Sequence, residues 1–352
     1  MNRTLIAAVA VLMAAFFIVP AAAASADESE GPPGFVSYYD QLDANSKAVF
    51  DAVNTADPET ISIAVDLPIV LTATSDDPED AKNYVRGLAE GAINNAFKVL
   101  RLSSPMAYWG WVPSSVWTVI DVEVVDNTAT VSSLSLEISF SKYPVDPETE
   151  EFQGIKKMLD DLDAAIDKFH TDSGSVRGIV MDINNYLVNL VTYDPNYGNE
   201  KESRYAHDAY GALVDPNHYA VCDGYSKAFL LLCEKMGIEC VIVQGTAVSN
   251  MENHAWNYVK MDNGKWYAID VTWNDGSDNA YFLLGSDTFF YTHQQGVFLG
   301  SGILPYTFNS PVLSNNKYDP EPKDYSMYAW LLGAAIVALM SFALYRHAKR
   351  SG

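Results

Sequence analysis

The chain has little positive charge, little cysteine and few long apolar runs. It carries 22 Lys and Arg against 45 Asp and Glu over 352 residues, a formal net charge of −23. A nucleic-acid binder needs a basic face to displace counterions from phosphates, so this balance argues against DNA or RNA as a partner. An acidic surface keeps a folded ectodomain soluble and its copies apart. A preference for basic substrates is the sharper reading of the same charge; a solvated acidic surface is the plainer one. The three cysteines, Cys222, Cys233 and Cys240, are too few for a disulfide-built scaffold. No Cys/His group has zinc-ligand spacing, so neither a metal nor another cofactor is expected.

The hydrophobic share is 49%, which excludes a disordered chain. The length allows two compact domains. Long apolar runs occur only near the ends. Arg3 precedes the run Leu5 to Val19, and Ala22-Ala23-Ala24 and Ala24-Ser25-Ala26 offer small-residue cleavage sites. Residues 1–26 therefore read as a signal peptide, since the run is short for a membrane span. Residues 327–344 carry no charge, Arg346, Lys349 and Arg350 follow, and Tyr328, Trp330 and Tyr345 suit the interfaces. This predicts a transmembrane helix over 326–345 and a cytoplasmic tail over 346–352. The expected product is a single-pass cell-membrane protein with its N-terminal part outside. A polar, proline-broken linker over 314–325 joins the two parts.

Residues 27–147 read as an N-terminal α/β domain. A short helix covers Ser46 to Val53 and a strand Ile61 to Thr72. A long helix starts at Asp77-Pro78 and carries Tyr84, Leu88, Ala92, Ala96 and Leu100 on one stripe. Strands Ser115 to Val125 and Thr128 to Phe140 flank Asp126-Asn127 as a hairpin. Tyr108, Trp109 and Trp111 form an aromatic cluster that reads as core. No catalytic constellation falls in this region. Pro144 to Pro147 marks a boundary. Helices over 148–170 and 175–192 follow, the second ended by Tyr193-Asp194-Pro195. His207 and His218 read as structural or surface histidines. Ala280 to Leu284 reads as a further strand.

The rest of the chain is organised around Val221 to Asp275. Cys222, His254 and Asp270 occur in that order, 32 and then 16 residues apart. A thiol becomes a strong nucleophile only as a thiolate. A histidine within reach takes its proton, and a carboxylate fixes that histidine's tautomer. Residues 222–236 are helix-like, with Tyr225, Ala228, Phe229, Leu232 and Met236 at helical spacing and Gly237 as the C-terminal cap. Cys222 then opens a helix, where the dipole favours a thiolate and free N–H groups can serve as oxyanion donors. Cys222 and Cys233 lie roughly 16 Å apart along that helix, at 1.5 Å per residue. A disulfide needs Cα atoms within about 7 Å, so they cannot pair. Cys233 and Cys240 either pair across the Gly237 turn or are two buried small apolar residues, the plainer reading.

Residues 254–261 and 265–273 read as a hairpin around Asp262-Asn263-Gly264. A two-residue turn places His254 and Asp270 on opposite faces. A three-residue loop, with Gly264 as a left-handed bulge, pairs Met261 with Lys265. His254 then faces Thr272, and Asp270 is its diagonal neighbour on the same face. A catalytic pair requires the three-residue loop. Trp256, Trp266 and Trp273 on this hairpin read as core.

Val-Cys-Asp-Gly-Tyr-Ser, His-Ala-Trp-Asn and Trp-Tyr-x-Ile-Asp-x-Thr-Trp together resemble the transglutaminase-like (papain-fold) superfamily in its prokaryotic branch. The resemblance runs from Asp182 to Asp287. It implies an α+β fold, with a nucleophile helix packed on an antiparallel sheet, over a catalytic domain at 148–313. It also implies Cys222 as nucleophile, His254 as general base and Asp270 as the orienting acid. The Cys222 N–H is the implied oxyanion donor, with Tyr219 the candidate for a second. The expected activity is acyl transfer from amide or peptide substrates at the cell envelope through a thioester. The product is hydrolytic (protease, isopeptidase or deamidase) or cross-linked (transglutaminase). The alternative is an inactive surface binding or assembly module that keeps the fold.

Signal and anchor together make one topological prediction. Protease added to intact cells cuts within 314–325 and releases a fragment containing Cys222. A fragment that stays protected while a known surface protein is cut reverses the orientation.

Overall fold

The computed structural model describes residues 35–56, 62–103, 115–139, 155–296, 298–299 and 307–320, with short pieces at 339–342 and 346. The signal segment, the aromatic cluster at 108–111, the boundary at Pro144–Pro147 and most of 326–345 lie outside these residues. Among the described residues, no helix is long and apolar enough to cross a membrane. Pro32–Tyr318 forms one compact unit.

The chain enters through α1 (Ala44–Asn54), whose first turn is capped by the Asp43 carboxylate accepting from the N–H groups of Asn45 and Ser46. Next come β1 (Ser62–Thr74) and α2 (Pro78–Ser103), the latter opening on a proline with Glu79 and Asp80 in its first turn. The buried stripe of α2 runs through Ala81, Val85, Ala89, Ala92, Ala96 and Val99, while Tyr84 is exposed. Of the expected stripe, Ala92, Ala96 and Leu100 are buried and Leu88 is half-buried; Tyr84 alone is exposed. Alanines on the inner face let the helix lie close to the sheet, and the bulkier tyrosine stays outside. The sheet pairs β1 with β4 (Thr128–Ser139), and β4 with both β2 (Ser115–Val119) and β3 (Glu123–Val125). The strand expected over 115–125 is broken because its register on β4 slips by one residue between Val119↔Ser135 and Glu123↔Thr130.

The second half begins with α3 (Ile155–Asp167) and α4 (Val176–Leu190), the latter capped by the Ser175 hydroxyl on the N–H of Gly178. A small parallel pair, β5 (Thr192–Tyr193) and β6 (Tyr219–Ala220), brackets α5 (Ala209–Leu213). Then α6 (Cys222–Lys235) packs on an antiparallel sheet in the order β10-β7-β8-β9. Its strands are β7 (Cys240–Ala247), β8 (Asn253–Lys260), β9 (Trp266–Ile269) and β10 (His293–Gln295). One-turn helices α7 (Val271–Asn274) and α8 (Ser286–Phe289) lie between β9 and β10. Tyr225, Phe229 and Leu232 of α6 meet Leu187, Val259 and Ile269 in one core. The helix stops because Gly237 takes φ +69°. The Ile238 N–H then reaches the Cys233 carbonyl at 2.9 Å and the Gly237 N–H that of Glu234 at 3.0 Å, a Schellman closure.

The hairpin adopts the three-residue loop. The Met261 N–H donates to the Lys265 carbonyl at 3.0 Å, and the register runs from Lys260↔Trp266 to Asn257↔Ile269. Two expectations fail here. The second strand ends at Ile269, so His254 does not face Thr272. Asp270 caps α7 instead, its carboxylate accepting from the Trp273 N–H. Ala280 to Leu284 is a run of turns with a single bridge, Leu284 to Ala268. Asp278 and Asn279 both hold positive φ, which curls the chain before a strand can start.

Gly264 holds φ +74°, and a Cβ built there meets nothing within 4 Å. Gly264→Ala therefore meets backbone strain alone and lowers stability by about 1–2 kcal/mol, read as a lower urea midpoint at unchanged m. A variant as stable as the wild type removes the left-handed bulge from the account.

Candidate active site

Cys222 is the first residue of α6. The preceding Val221 is fully buried and its N–H is held by the Ala206 carbonyl at 2.8 Å, which fixes where the helix starts. Lys227, one turn further on, is tied to α5 by its ammonium, 2.9 Å from Asp208 and 2.7 Å from the His207 carbonyl. Burial raises the Asp208 carboxyl, and Lys227 works against that rise. The thiol side of Cys222 opens on a cleft of about 230 Å³, with Tyr193, Tyr197, His254, Thr272 and Trp273 among its walls. The walls include Glu252 and Asp275, and among the described residues no Lys or Arg lines the cleft.

His254 stands near the start of β8 and is buried. Its Nε2 donates to Asp270 Oδ2 at 2.8 Å. The imidazole also hydrogen-bonds the Cys222 side chain. With Nε2 on the carboxylate, the nitrogen that serves Cys222 is Nδ1. Trp273 stacks on the ring at 5.1 Å and 26°. Burial alone pushes this imidazole down, but the hydrogen bonds to Asp270 and Cys222 outweigh it and raise the pKa to about 10.

Asp270 has no exposed surface. Its Oδ1 accepts from the Trp273 N–H at 3.1 Å. Its Oδ2 accepts from His254 and, at 3.0 Å, from Nε2 of His293. Burial raises its pKa, yet the hydrogen bonds from the two histidines win and hold the carboxyl below its ordinary value. His293 moves the other way, pushed down by burial against the pull of Asp270. Behind the aspartate, Asn274 Nδ2 donates to Asn184 Oδ1 at 2.8 Å, and its own Oδ1 accepts from the Tyr281 N–H at 2.8 Å. These bonds moor α7 to α4.

The structure thus brings Cys222, His254 and Asp270 together. Tyr219 is not among the cleft walls: it lies in β6, three residues before the helix, and Cys222 alone of the two oxyanion candidates faces the cleft. Trp256 and Trp266 are core, as expected, but Trp273 is half-buried and lines the cleft against His254. Cys233 and Cys240 are free thiols near each other, and burial raises the Cys233 thiol well above its usual range. His207 bridges Glu202 and Asp223, and His218 bonds the Ala212 carbonyl. Sequence reasoning missed His293. It belongs to no motif, and its one signal is its place in the aromatic-rich segment after Phe289. His254, Asp270 and His293 also form a group whose potential metal-ligand atoms lie within 4.8 Å. Both imidazoles already donate Nε2–H to the same oxygen, so a metal there would have to displace both bonds.

The shifts set a pH dependence. His254 holds its proton more tightly folded than unfolded, so its contribution is complete below about 6.5, the ordinary histidine pKa, and is lost as pH rises through about 10. Wild-type stability in urea should therefore decline from pH 7 to 10, and Asp270→Asn should flatten that decline. An equal slope in both proteins means the carboxylate does not hold the proton.

Residues 164–271 match the transglutaminase-like superfamily family model. No curated protein matches the chain. Among solved structures, the chain is similar to a TGase at 19% identity and TM-score 0.29, covering 44% of this chain and 43% of that one. It is also similar to a putative cysteine protease from Cytophaga hutchinsonii, at 15% identity and TM-score 0.26 over 60% and 83% of the two chains. A third likeness is to the periplasmic domain of TgpA from Pseudomonas aeruginosa, at 12% identity and TM-score 0.24 over 47% and 68%. The chain spans less than half the length of the TGase it matches. The matched residues 164–271 include Cys222, His254 and Asp270, and this part of the chain belongs to the transglutaminase-like superfamily.

Proposed function

We propose that the protein is a cysteine acyl-transfer enzyme acting on amide or peptide substrates, with Cys222 as nucleophile, His254 as acid and base, and Asp270 as the group that orients His254. One observation carries the reading: a partly exposed cysteine at a helix start is hydrogen-bonded to an imidazole that a buried carboxylate holds from behind.

The proposed steps use these three residues in turn. The Cys222 thiolate adds to the amide carbonyl carbon and its electron pair forms the C–S bond. The carbonyl oxygen takes the negative charge, and the Cys222 N–H at the start of α6 faces it. His254, protonated at Nδ1, gives that proton to the leaving nitrogen as the C–N bond breaks, leaving a thioester. Water or an amine then attacks the thioester, His254 takes the attacker's proton at Nδ1, and the thiolate is restored. Asp270 accepts from Nε2 throughout, so the ring keeps one orientation. Hydrolysis is the preferred outcome, because Cys222 stays reachable from solvent and water meets the thioester unless a bound amine displaces it. The proposed setting is the outer face of a membrane, with 326–345 as anchor and envelope proteins or peptides as substrates. It rests on the uncharged run and the basic residues after it.

A panel of glutamine- and peptide-based electrophiles tests the reading. Cys222 should carry the adduct by peptide mass. Cys222→Ala should abolish labelling and turnover with Tm within a few degrees, and His254→Ala should slow labelling by about a hundredfold or more. Turnover that survives Cys222→Ala ends the enzyme assignment.

A further inference from the structure

We propose that His293 is a positioning residue for this reaction: its Nε2–H holds the Asp270 oxygen that in turn holds His254 at Cys222. The inference rests on the active-site reading above. His293 opens β10, the edge strand of the catalytic sheet, opposite Ala247 of β7. Gly245 makes that approach feasible, since a Cβ there would lie 2.1 Å from the Gln294 carbonyl oxygen and 2.7 Å from the Trp256 ring. The His293 side chain is fully buried.

Every face of the ring is occupied. Phe289 stacks on it at 3.9 Å and 10°, and Trp273 and Trp256 close it in at 4.4 and 5.0 Å. Nδ1 lies 2.8 Å from the Thr292 hydroxyl. Burial favours a neutral ring, and Nε2 needs its hydrogen for Asp270. Nδ1 faces the Thr292 hydroxyl, whose single hydrogen is shared between Nδ1 and the Phe289 carbonyl at 3.2 Å, while the Nε2–H is committed to Asp270. The titratable groups facing the ring are Asp270, His254 and, at 5.8 Å, Tyr281. His254 also contacts Cys222 and is the histidine that keeps the proton. A core histidine with no role needs only some partner. This one donates to the same oxygen as His254, and with the Trp273 N–H it leaves Asp270 three donors and no freedom to turn.

The test is alkylation of Cys222 by iodoacetamide across pH 4–9, followed by peptide mass so that the other two thiols do not interfere. It needs no substrate. It compares the full chain with His293→Gln, whose amide nitrogen can reach the Nε2 position, and with His293→Leu. Loss of the bond lets Asp270 turn and the imidazolium drift from the thiol. For His293→Leu the acid limb should rise by about one pH unit, about a tenfold slower reaction at pH 6. His293→Gln should stay within about twofold of wild type. A wild-type limb in His293→Leu overturns the inference, and so does an equal shift in both variants, which would mean shape rather than the hydrogen bond. If His293→Leu does not fold, Thr292→Val serves: freeing Nδ1 should move the limb in the same direction, and an unmoved limb overturns the inference. Wild-type Cys222 reacting no faster at pH 6 than a free thiol fails the active-site reading itself, a result separate from the other two.

Discussion

A carboxylate sealed from water must be satisfied by donors or give up its charge, and Asp270 is such a group. Its donors come from three elements: His254 on β8, the Trp273 N–H on α7 and His293 on β10. None of these elements can move far without leaving a buried oxygen short of a partner. The charge order follows. Asp270 stays ionised, His254 keeps the proton because Cys222 faces it as well, and His293 is left neutral. One carboxylate thus sorts two identical side chains into different roles by what lies on their far sides.

Cys222 is placed by an independent set of contacts. Val221 is sealed beneath the start of α6, Lys227 ties the next turn to Asp208, and the Schellman closure at Gly237 fixes the far end. The helix is therefore located along its axis from both ends. The sheet then brings His254 to Cys222, with α6 and β8 packed face to face through Tyr225, Phe229 and Val259. Rigid elements hold both groups, while the cleft wall made by Tyr193 and Tyr197 follows the short strand β5 into a turn.

The legible parts of the sequence were those whose causes are local. Gly264 declares its left-handed turn, the odd loop fixes the hairpin register, and Cys222 followed by a helical stripe declares a helix start. The three motif residues could be assembled through the resemblance their motifs carry, since the strand register that was to set Thr272 opposite His254 stops at Ile269. The illegible parts depend on partners far along the chain. The end of β9 was hidden because Val271-Thr272-Trp273 has strand-like residues, and only the capping of α7 by Asp270 stops the strand. The α2 stripe was legible through Ala92, Ala96 and Leu100, and only Tyr84 at its N-terminal end was misplaced, since Ala81 and Val85 take the inner face there. His293 could not be found by pattern, since what places it is pairing with Ala247 and the absence of a side chain at Gly245.

The early end of β9 also aims the Asp270 carboxylate. In a continued strand, diagonal neighbours sit about 7–8 Å apart, and the two side chains would stand side by side. By turning into α7 at Asp270, the chain commits Oδ1 to the Trp273 N–H and leaves Oδ2 for both imidazoles. Asn274 then anchors the same turn to Asn184 on α4, beyond the sheet. A helix cap usually satisfies backbone at a helix start. Here one cap also aims a carboxylate, so the local rule that stops the strand and the long-range demand of the site are met by a single side chain.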